Sequence, residues 1–478
     1  MDIVWREKND PAIYEAARTK RLFNAQVPDR YPLAIAFVES DIHIVDAVRL
    51  AIDKKCQISV RAGGHSFPAW SVCENAILVD LGNFSEIVMD DETGVVGVTP
   101  ATTSRKLNEF LSVKGRIASV GHCPDVGLGG FLLAGGLGWN SSNWGWACEQ
   151  IVAVDVVTPG GELLRADREK NTELFWAVRG AGPAFPGIIT RFYLQTRPAP
   201  RRILSSVYVY PVTHCGEAFS WILDIGSELR GNIEISAVAT YVPEQETPCL
   251  IIKMMAFGDE EESVKQLQRA ENSYPPGSLS HSFCQETTLQ NEFDNMEIAF
   301  PSNHRYCVDN AFLRNDIDVA ALLQTAFTTL PSKKSMVLWN FMMPRSQREL
   351  LDMALSIQSN HYCAVYAIWE DESEDGYCRS WVQTIMRGLE THSIGSYVGE
   401  YDFQARASNV WGAEQYERLK HIKQKWDPHN RIIRFYILRY CFDGHYEGSS
   451  KDKWHKKPRK GHPVYTRLTA RSVIDTSA

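Results

Sequence analysis

Two glycine-dense stretches of the chain each carry a side chain able to attack carbon. The first, VRAGGHSFPAW at residues 60–70, sets Gly63 and Gly64 directly before His65 and then Ser66. The second, GHCPDVGLGGFLLAGGLGWNSSNWGW at 121–146, opens on Cys123 and holds eight glycines. A histidine packed in a core needs no such backbone freedom, whereas one that meets a large ligand at close range does. Glycines also let successive backbone N–H groups close on an anion, and a pyrophosphate suits that cradle. A long ligand with a pyrophosphate and a flat redox ring would use both loops.

Two other glycine motifs fit poorly. A Rossmann nicotinamide site needs a strand before the glycines, a helix after them and an acid about twenty residues on. Here the glycines run on to Gly145, and Asn, Ser and Trp stand where a helix should begin. A P-loop needs a Gly-Lys-Ser/Thr ending, and the chain has none.

The elements that must position these loops can be read from periodicity. SDIHIVDAVRLAIDK (40–54) spaces Ile44, Val45, Val48, Ala51 and Ile52 as a helix, with Ser40 or Asp41 as its cap. CQISVRAGG and AILVDLG read as strands, EIVMDDETGVVGVTP as a hairpin, TTSRKLNEFLSVKG as an amphipathic helix and RIASVG as a strand. QIVAVDVVTPGGELLRAD is a second hairpin, followed by a short helix in EKNTELFWAVRG and a strand in GIITRFYLQTRP. From about residue 203 long strand-like runs recur: ILSSVYVYPV, IEISAVATYV, PCLIIKMMAF, SMVLWNFMM and YCAVYAIWED, separated by helical patterns. Antiparallel strands with helices on one face fit that texture. WGAEQYERLKHIKQKW is a further helix, stopped by DPHNR. Residues 441–478 are polar, basic and aperiodic, and read as a disordered tail.

Composition narrows the function. The 478 residues are 44% hydrophobic and 23% charged, an ordinary globular profile with room for a deep pocket. A net charge of −8 argues against nucleic acid as a partner. No run is long and apolar enough to span a membrane. The N-terminus lacks the apolar core of a signal peptide, so the expected location is the cytoplasm, with secretion not excluded. The 11 cysteines include no Cys-x-x-Cys pair, against a disulfide framework, and a structural zinc site is not expected. Oligomeric state is not legible.

VRAGGHS, followed some sixty residues on by GHCPDVGLGGFLLAGGLGWNSSNWGW, resembles the flavin-binding domain of the berberine-bridge-enzyme-like oxidases, within the vanillyl-alcohol-oxidase or PCMH type of FAD proteins. The resemblance continues through LFWAVRGAG and GIITRFYLQT and resumes at YERLKHIKQKWDPHNR, covering roughly residues 20–437. It implies an α+β fold: a PCMH-type FAD-binding domain of two α/β subdomains at 1–200, a substrate-binding lobe at 201–396 with an antiparallel sheet covered by helices, and a segment at 397–440 returning to the FAD domain. It implies FAD bonded through its 8α-carbon to His65, and through its ring carbon six to Cys123, as in the bicovalent members. By position, Arg61, Ala62, Gly63, Gly64 and Ser66 would form the pyrophosphate loop. Gly121, Val126, Gly127, Gly129, Gly130, Gly135, Gly136 and Gly138 would line the ring and its ribityl chain, with Trp144, Gly145 and Ile188 as neighbours.

The resemblance also places a catalytic base. The family's Tyr-x-Asn-x motif matches SYVGEYDF, where Tyr397 holds the first position, Gly399 replaces the asparagine and Glu400 stands fourth. Either Tyr397 or Glu400 would take the substrate's proton, the glutamate if desolvation raises its pKa. Trp369 and Glu370 are expected to face the same pocket from the substrate sheet. The implied activity is an oxidase that takes a hydride from an alcohol, amine or natural-product intermediate, with or without ring closure, and reduces O₂ to H₂O₂. A flavin-scaffolded cyclase without net redox change, kept open by the loss of the asparagine, and a dehydrogenase with another acceptor are the alternatives.

Overall fold

The computed structural model describes residues 1–229, 233–258, 260–402 and 405–433. The tail expected at 441–478 lies outside them.

The N-terminal part is built on two sheets. The first orders Asp2–Trp5, Ala34–Phe37, Ile77–Asp80 and Ile58–Arg61, with the outer pair antiparallel and the rest parallel. Ala34, Ile35, Ala36, Ile77, Leu78, Val79 and Ile58 are fully buried, because helices cover both faces of a parallel sheet. The helix Asp41–Lys54 is one cover. Ser40 caps it by accepting from the His43 N–H, and it buries Ile44, Ala47, Val48 and Ala51. The second sheet orders Ile87–Asp90, Val95–Val98, Ile188–Gln195, Ile151–Val157 and Leu163–Asp167, antiparallel throughout. Both expected hairpins are present in it.

Residues 203–395 form an eight-stranded antiparallel sheet. Its order is Ser280–Thr287, Ile203–Pro211, Cys249–Ala256, Ile233–Thr240, Met336–Phe341, His361–Trp369, Arg305–Leu313 and Ser393–Gly395. Successive side chains of a strand point to opposite faces. Ile235, Ala237, Val337, Trp339, Cys363 and Val365 therefore share a core with Phe219, Ile222, Leu323, Phe327, Val382 and Ile385 of the helices Cys215–Glu228, Val319–Thr328 and Asp375–Leu389. The alternate residues face a cavity.

The helix Ala413–Trp426 ends at Asp427, whose fully buried carboxylate accepts from the backbone N–H groups of Arg431 (2.7 Å) and Ile432 (3.1 Å). That turn aims residues 431–433 along the edge strand of the first sheet, where Ile58 bonds Arg431 and Ile433. This is the physical sense of the DPHNR stop.

Two of the elements read from sequence differ locally in the structure. The glycine stretch does contain helix, at Leu128–Leu133 and Ser141–Trp144, although no strand leads into it. RIASVG extends as strand only over Arg116–Ile117.

Candidate active site

A cavity of about 790 Å³ is bounded by the two glycine loops, the open face of the large sheet, the turn at 397–400 and Ile432 and Ile433. Gly63 and Gly127 touch backbone to backbone: a Cβ on Gly63 would sit 2.6 Å from the Gly127 nitrogen, and one on Gly127 would sit 2.7 Å from the Gly63 nitrogen. Gly64 holds φ +80°, with the Arg21 carbonyl where a side chain would go. These contacts lock the loops together and set His65 and Cys123 on one cavity wall. No acceptor among the described residues receives the backbone N–H groups of Gly63, Gly64, His65 or Ser66, all of which line the cavity. Four consecutive free donors form a nest for an anion. Gly130, also on the wall, has nothing within 4 Å of a would-be Cβ. The Trp139 Nε1 and the Glu234 Oε2 are buried without protein partners at the same wall. These features fit a dinucleotide with a pyrophosphate and a polar flat ring.

Of the residues read from sequence, Arg61 through Ser66, Gly121, Cys123, Val126, Gly127, Gly129, Gly130, Ile188, Tyr397 and Glu400 line this cavity. Five do not, and neighbouring protein atoms explain them. A Cβ on Gly135 would strike Leu355, one on Gly136 would strike Ala147, and one on Gly138 would meet the Val120 carbonyl at 2.5 Å. Gly145 makes room for Glu149 and Arg345. Trp144 packs edge-on against Phe257 and under Arg197. The Arg61 guanidinium is likewise not available to a phosphate. It is fully buried, bonded to Asp80 at 2.7 Å and to the carbonyls of Ala17 and Arg18.

His65 stacks on Phe23 with ring centroids 3.8 Å apart and donates from Nε2 to Asp125 at 3.1 Å. Cys123 lines the cavity as a free thiol. Burial, with the charges of Asp125 and Glu400, pushes that thiol well above its ordinary range. A thiolate at Cys123 is thus disfavoured by its surroundings. No disulfide joins two of the described cysteines.

The turn at 397–400 is held by Asn310. Its amide donates to the carbonyls of Tyr397 (3.0 Å) and Glu400 (2.9 Å) and accepts from the Tyr397 N–H (2.7 Å). Gly399 has a structural reason: a Cβ there would lie 2.6 Å from the Tyr397 ring, which folds back over it. The Tyr397 hydroxyl accepts from the Gly136 and Leu137 N–H groups at 3.2 and 3.3 Å. Burial and the Glu400 charge nevertheless push its pKa up, so this phenol stays protonated. Glu400 accepts from the Tyr362 hydroxyl and, at 2.8 Å, from the Tyr366 hydroxyl. Burial raises the Glu400 pKa, and the two phenol hydrogen bonds pull it back only in part. A carboxylate so placed is a stronger proton acceptor than an ordinary glutamate.

Trp369 and Glu370 do not reach the cavity. Trp369 sits in the helix-covered core and donates to Asp375, while the exposed Glu370 pairs with His304. For Trp369 strand parity could have shown this, because Tyr362 and Tyr366 share a face that Trp369 does not. Sequence reasoning also missed His122, which leans on Trp139 and approaches Glu234 at 3.5 Å. From the sheet, apolar Val238, Ile251, Met255, Met336 and Leu338 alternate on the wall with polar Glu234, Ser236, Thr240, Lys253 and Asn340. The charged Lys253 on it is paired with Glu292.

Among the described residues no helix is long and apolar enough to cross a membrane, and no cluster of His, Cys, Asp and Glu could hold a metal ion.

Comparison with known proteins agrees with this geometry. A family described as "FAD binding domain" matches residues 32–167, and one described as "Berberine and berberine like" matches residues 396–431. The FAD-linked oxidoreductase penO of Penicillium crustosum is 38% identical over 430 residues, covering 90% of this chain and 95% of the relative. The FAD-linked oxidoreductase nodO of Hypoxylon pulicicidum is 38% identical over 433 residues, covering 90% and 96%. Among solved structures, 6-hydroxy-D-nicotine oxidase from Arthrobacter nicotinovorans superposes with a TM-score of 0.77 at 21% identity, covering 90% of this chain and 96% of that one. The nest, the facing glycine loops and these relatives lead to one assignment: the chain belongs to the berberine-bridge-enzyme-like family of FAD-linked oxidoreductases.

Proposed function

We propose that the chain is an FAD-dependent oxidase that removes a hydride from a small, largely apolar alcohol, amine or natural-product intermediate and passes the electrons to O₂, releasing H₂O₂. The observation that carries this reading is Glu400, a carboxylate with a raised pKa held by two phenols in the chamber that also holds His65 and Cys123. Bound FAD supplies the hydride acceptor. The N–H groups of Gly63 to Ser66 hold its pyrophosphate, and His65 and Cys123 tether its ring.

Glu400 accepts the substrate's O–H or N–H proton as the hydride leaves. Tyr362 and Tyr366 fix the carboxylate's direction through their hydrogen bonds. The apolar strip of Val238, Ile251, Met255, Met336 and Leu338 takes the body of the substrate and keeps water from the reacting end.

Two experiments test the reading. Acid precipitation of the purified protein followed by mass spectrometry should find flavin on the peptides containing His65 and Cys123. Anaerobic mixing with apolar alcohols and amines should bleach the flavin, and admitting O₂ should restore it with H₂O₂ release. A substrate converted without bleaching would instead support the cyclase.

A further inference from the structure

The contact between His65 and Asp125 is not used by the reading above, and it joins the two glycine loops at the tether. Resting on the reading that His65 carries the flavin, we propose that Asp125 is a positioning residue for flavin attachment: it holds His65 as the tautomer whose Nδ1 is free to attack and receives the Nε2 proton as the bond forms.

Three observations converge on this. The His65 Nε2 lies 3.1 Å from the Asp125 Oδ1, and a carboxylate only accepts, so the imidazole proton sits on Nε2. No other described residue hydrogen-bonds the ring, which leaves the Nδ1 lone pair open. Phe23, stacked at 19°, fixes the ring plane, and the Gly63–Gly127 contact fixes the spacing between the loops that carry the pair. The partners also differ in access: the His65 side chain is 13% exposed and that of Asp125 is 57% exposed. A proton received by Asp125 can therefore pass on to water. Burial works to raise the Asp125 carboxyl, but the hydrogen bond and charge of His65 hold it below the ordinary range, so it is ionised and accepts the Nε2–H.

The step balances with dioxygen as oxidant. A bond forms between Nδ1 and the 8α-carbon, while one methyl C–H bond and the Nε2–H bond break. The two protons and two electrons released leave with O₂ as H₂O₂. The Asp125 charge acts in the opposite sense on Cys123, where it opposes thiolate formation. Removing that charge should slow the first tether without slowing the second.

The test uses the full chain expressed under riboflavin limitation, then mixed aerobically with FAD, quenched in acid and digested. Mass spectrometry follows flavin on the His65 and Cys123 peptides separately. In Asp125→Asn, attachment at His65 should slow roughly ten- to hundredfold, the worth of a hydrogen bond to a charged group, while attachment at Cys123 is unslowed. Asp125→Glu should recover much of the His65 rate. Attachment at His65 at the wild-type rate in Asp125→Asn overturns the proposal. So does equal slowing at both sites without rescue by glutamate, or loss of FAD binding altogether, since each marks a merely structural residue. Wild-type protein without flavin on His65 overturns the tether reading itself, and the proposal with it.

Discussion

The two faces of the large sheet are made by the same strands and have opposite characters. On one face Trp339, Val337, Cys363 and Val365 are sealed under helices. On the other, Leu338, Asn340, Tyr362 and Tyr366 border an open chamber and Glu400, whose pKa burial raises. A period of two is enough to separate the residues that hold the fold from those that act on a ligand. The separation teaches that a substitution's consequence should follow strand parity more closely than size or hydrophobicity. Substitutions chosen by parity can break that claim.

The largest effect is expected from Glu400→Gln. Removing a general base lowers turnover by about 10²- to 10⁴-fold, measured as the rate of flavin reduction in anaerobic stopped flow. Flavin content should not change. Stability should move the other way. Burial raises the folded-state pKa of Glu400, so its ionisation opposes folding. The favourable contribution of the protonated form is fully present below the unfolded-state pKa and is lost as pH rises through the raised folded value. Glu400→Gln should thus raise Tm above that upper pKa, with the gain shrinking toward acid. The same titration makes wild-type turnover rise with pH through a pKa above the ordinary glutamate range, and that limb should be absent in the variant. A base outside the open face would be indicated by unchanged turnover.

Next is Trp339→Ala on the sealed face. Trp339 is fully buried and packs edge-on against Phe219. Large-to-small changes of this kind cost about 3–5 kcal/mol, read from urea unfolding. The fraction of protein that stays folded should keep its wild-type flavin reduction rate. Loss of activity per folded molecule would mean that the faces are coupled through the sheet.

The architecture was more legible than the site because the two rest on different signals. Alternation and apolar runs identified the strands at 203–211, 233–240, 249–256, 336–341 and 361–369, since burial imposes them. The glycine loops were legible as a ligand cradle, but composition cannot say which neighbour a glycine makes room for. Gly63 and Gly127 face each other, whereas Gly135, Gly136, Gly138 and Gly145 make room for Leu355, Ala147, Val120 and Arg345, two of them far off in sequence. Arg61 looked like a phosphate ligand because it opens the loop, and only the fold reveals Asp80 opposite it. Glu400 was found by position in a motif, but its phenol partners lie 34 and 38 residues away, and only strand parity hints at them.

A smaller effect is expected from Tyr362→Phe, which deletes one of the two phenol donors to Glu400. A hydrogen bond to a charged group contributes about 1.5–3 kcal/mol, and its loss falls on the ionised form. The acid limb of the pH–rate profile should shift upward, so activity drops along that limb and recovers in part at higher pH. A uniform drop at every pH would assign Tyr362 to substrate contact instead.

The smallest stability effect is the sharpest test, because it compares adjacent residues. Val337 is fully buried under the helices, and Leu338 is a partly buried wall of the chamber. By side-chain size alone, Leu338→Ala should cost more than Val337→Ala. By parity the order reverses. Val337→Ala leaves a void among packed atoms that cannot collapse, whereas Leu338→Ala enlarges a space that is already open. Leu338→Ala should therefore cost less than about 1 kcal/mol, short of the roughly 2–5 kcal/mol of a sealed leucine. Its signature should be kinetic: KM should rise for apolar substrates that fill the chamber, with the limiting rate of flavin reduction little changed, because the lost contact binds ground and transition states alike. Were Leu338→Ala instead as destabilising as a core truncation, the chamber would be closed without its ligand, and the division of labour between the faces would depend on FAD being bound.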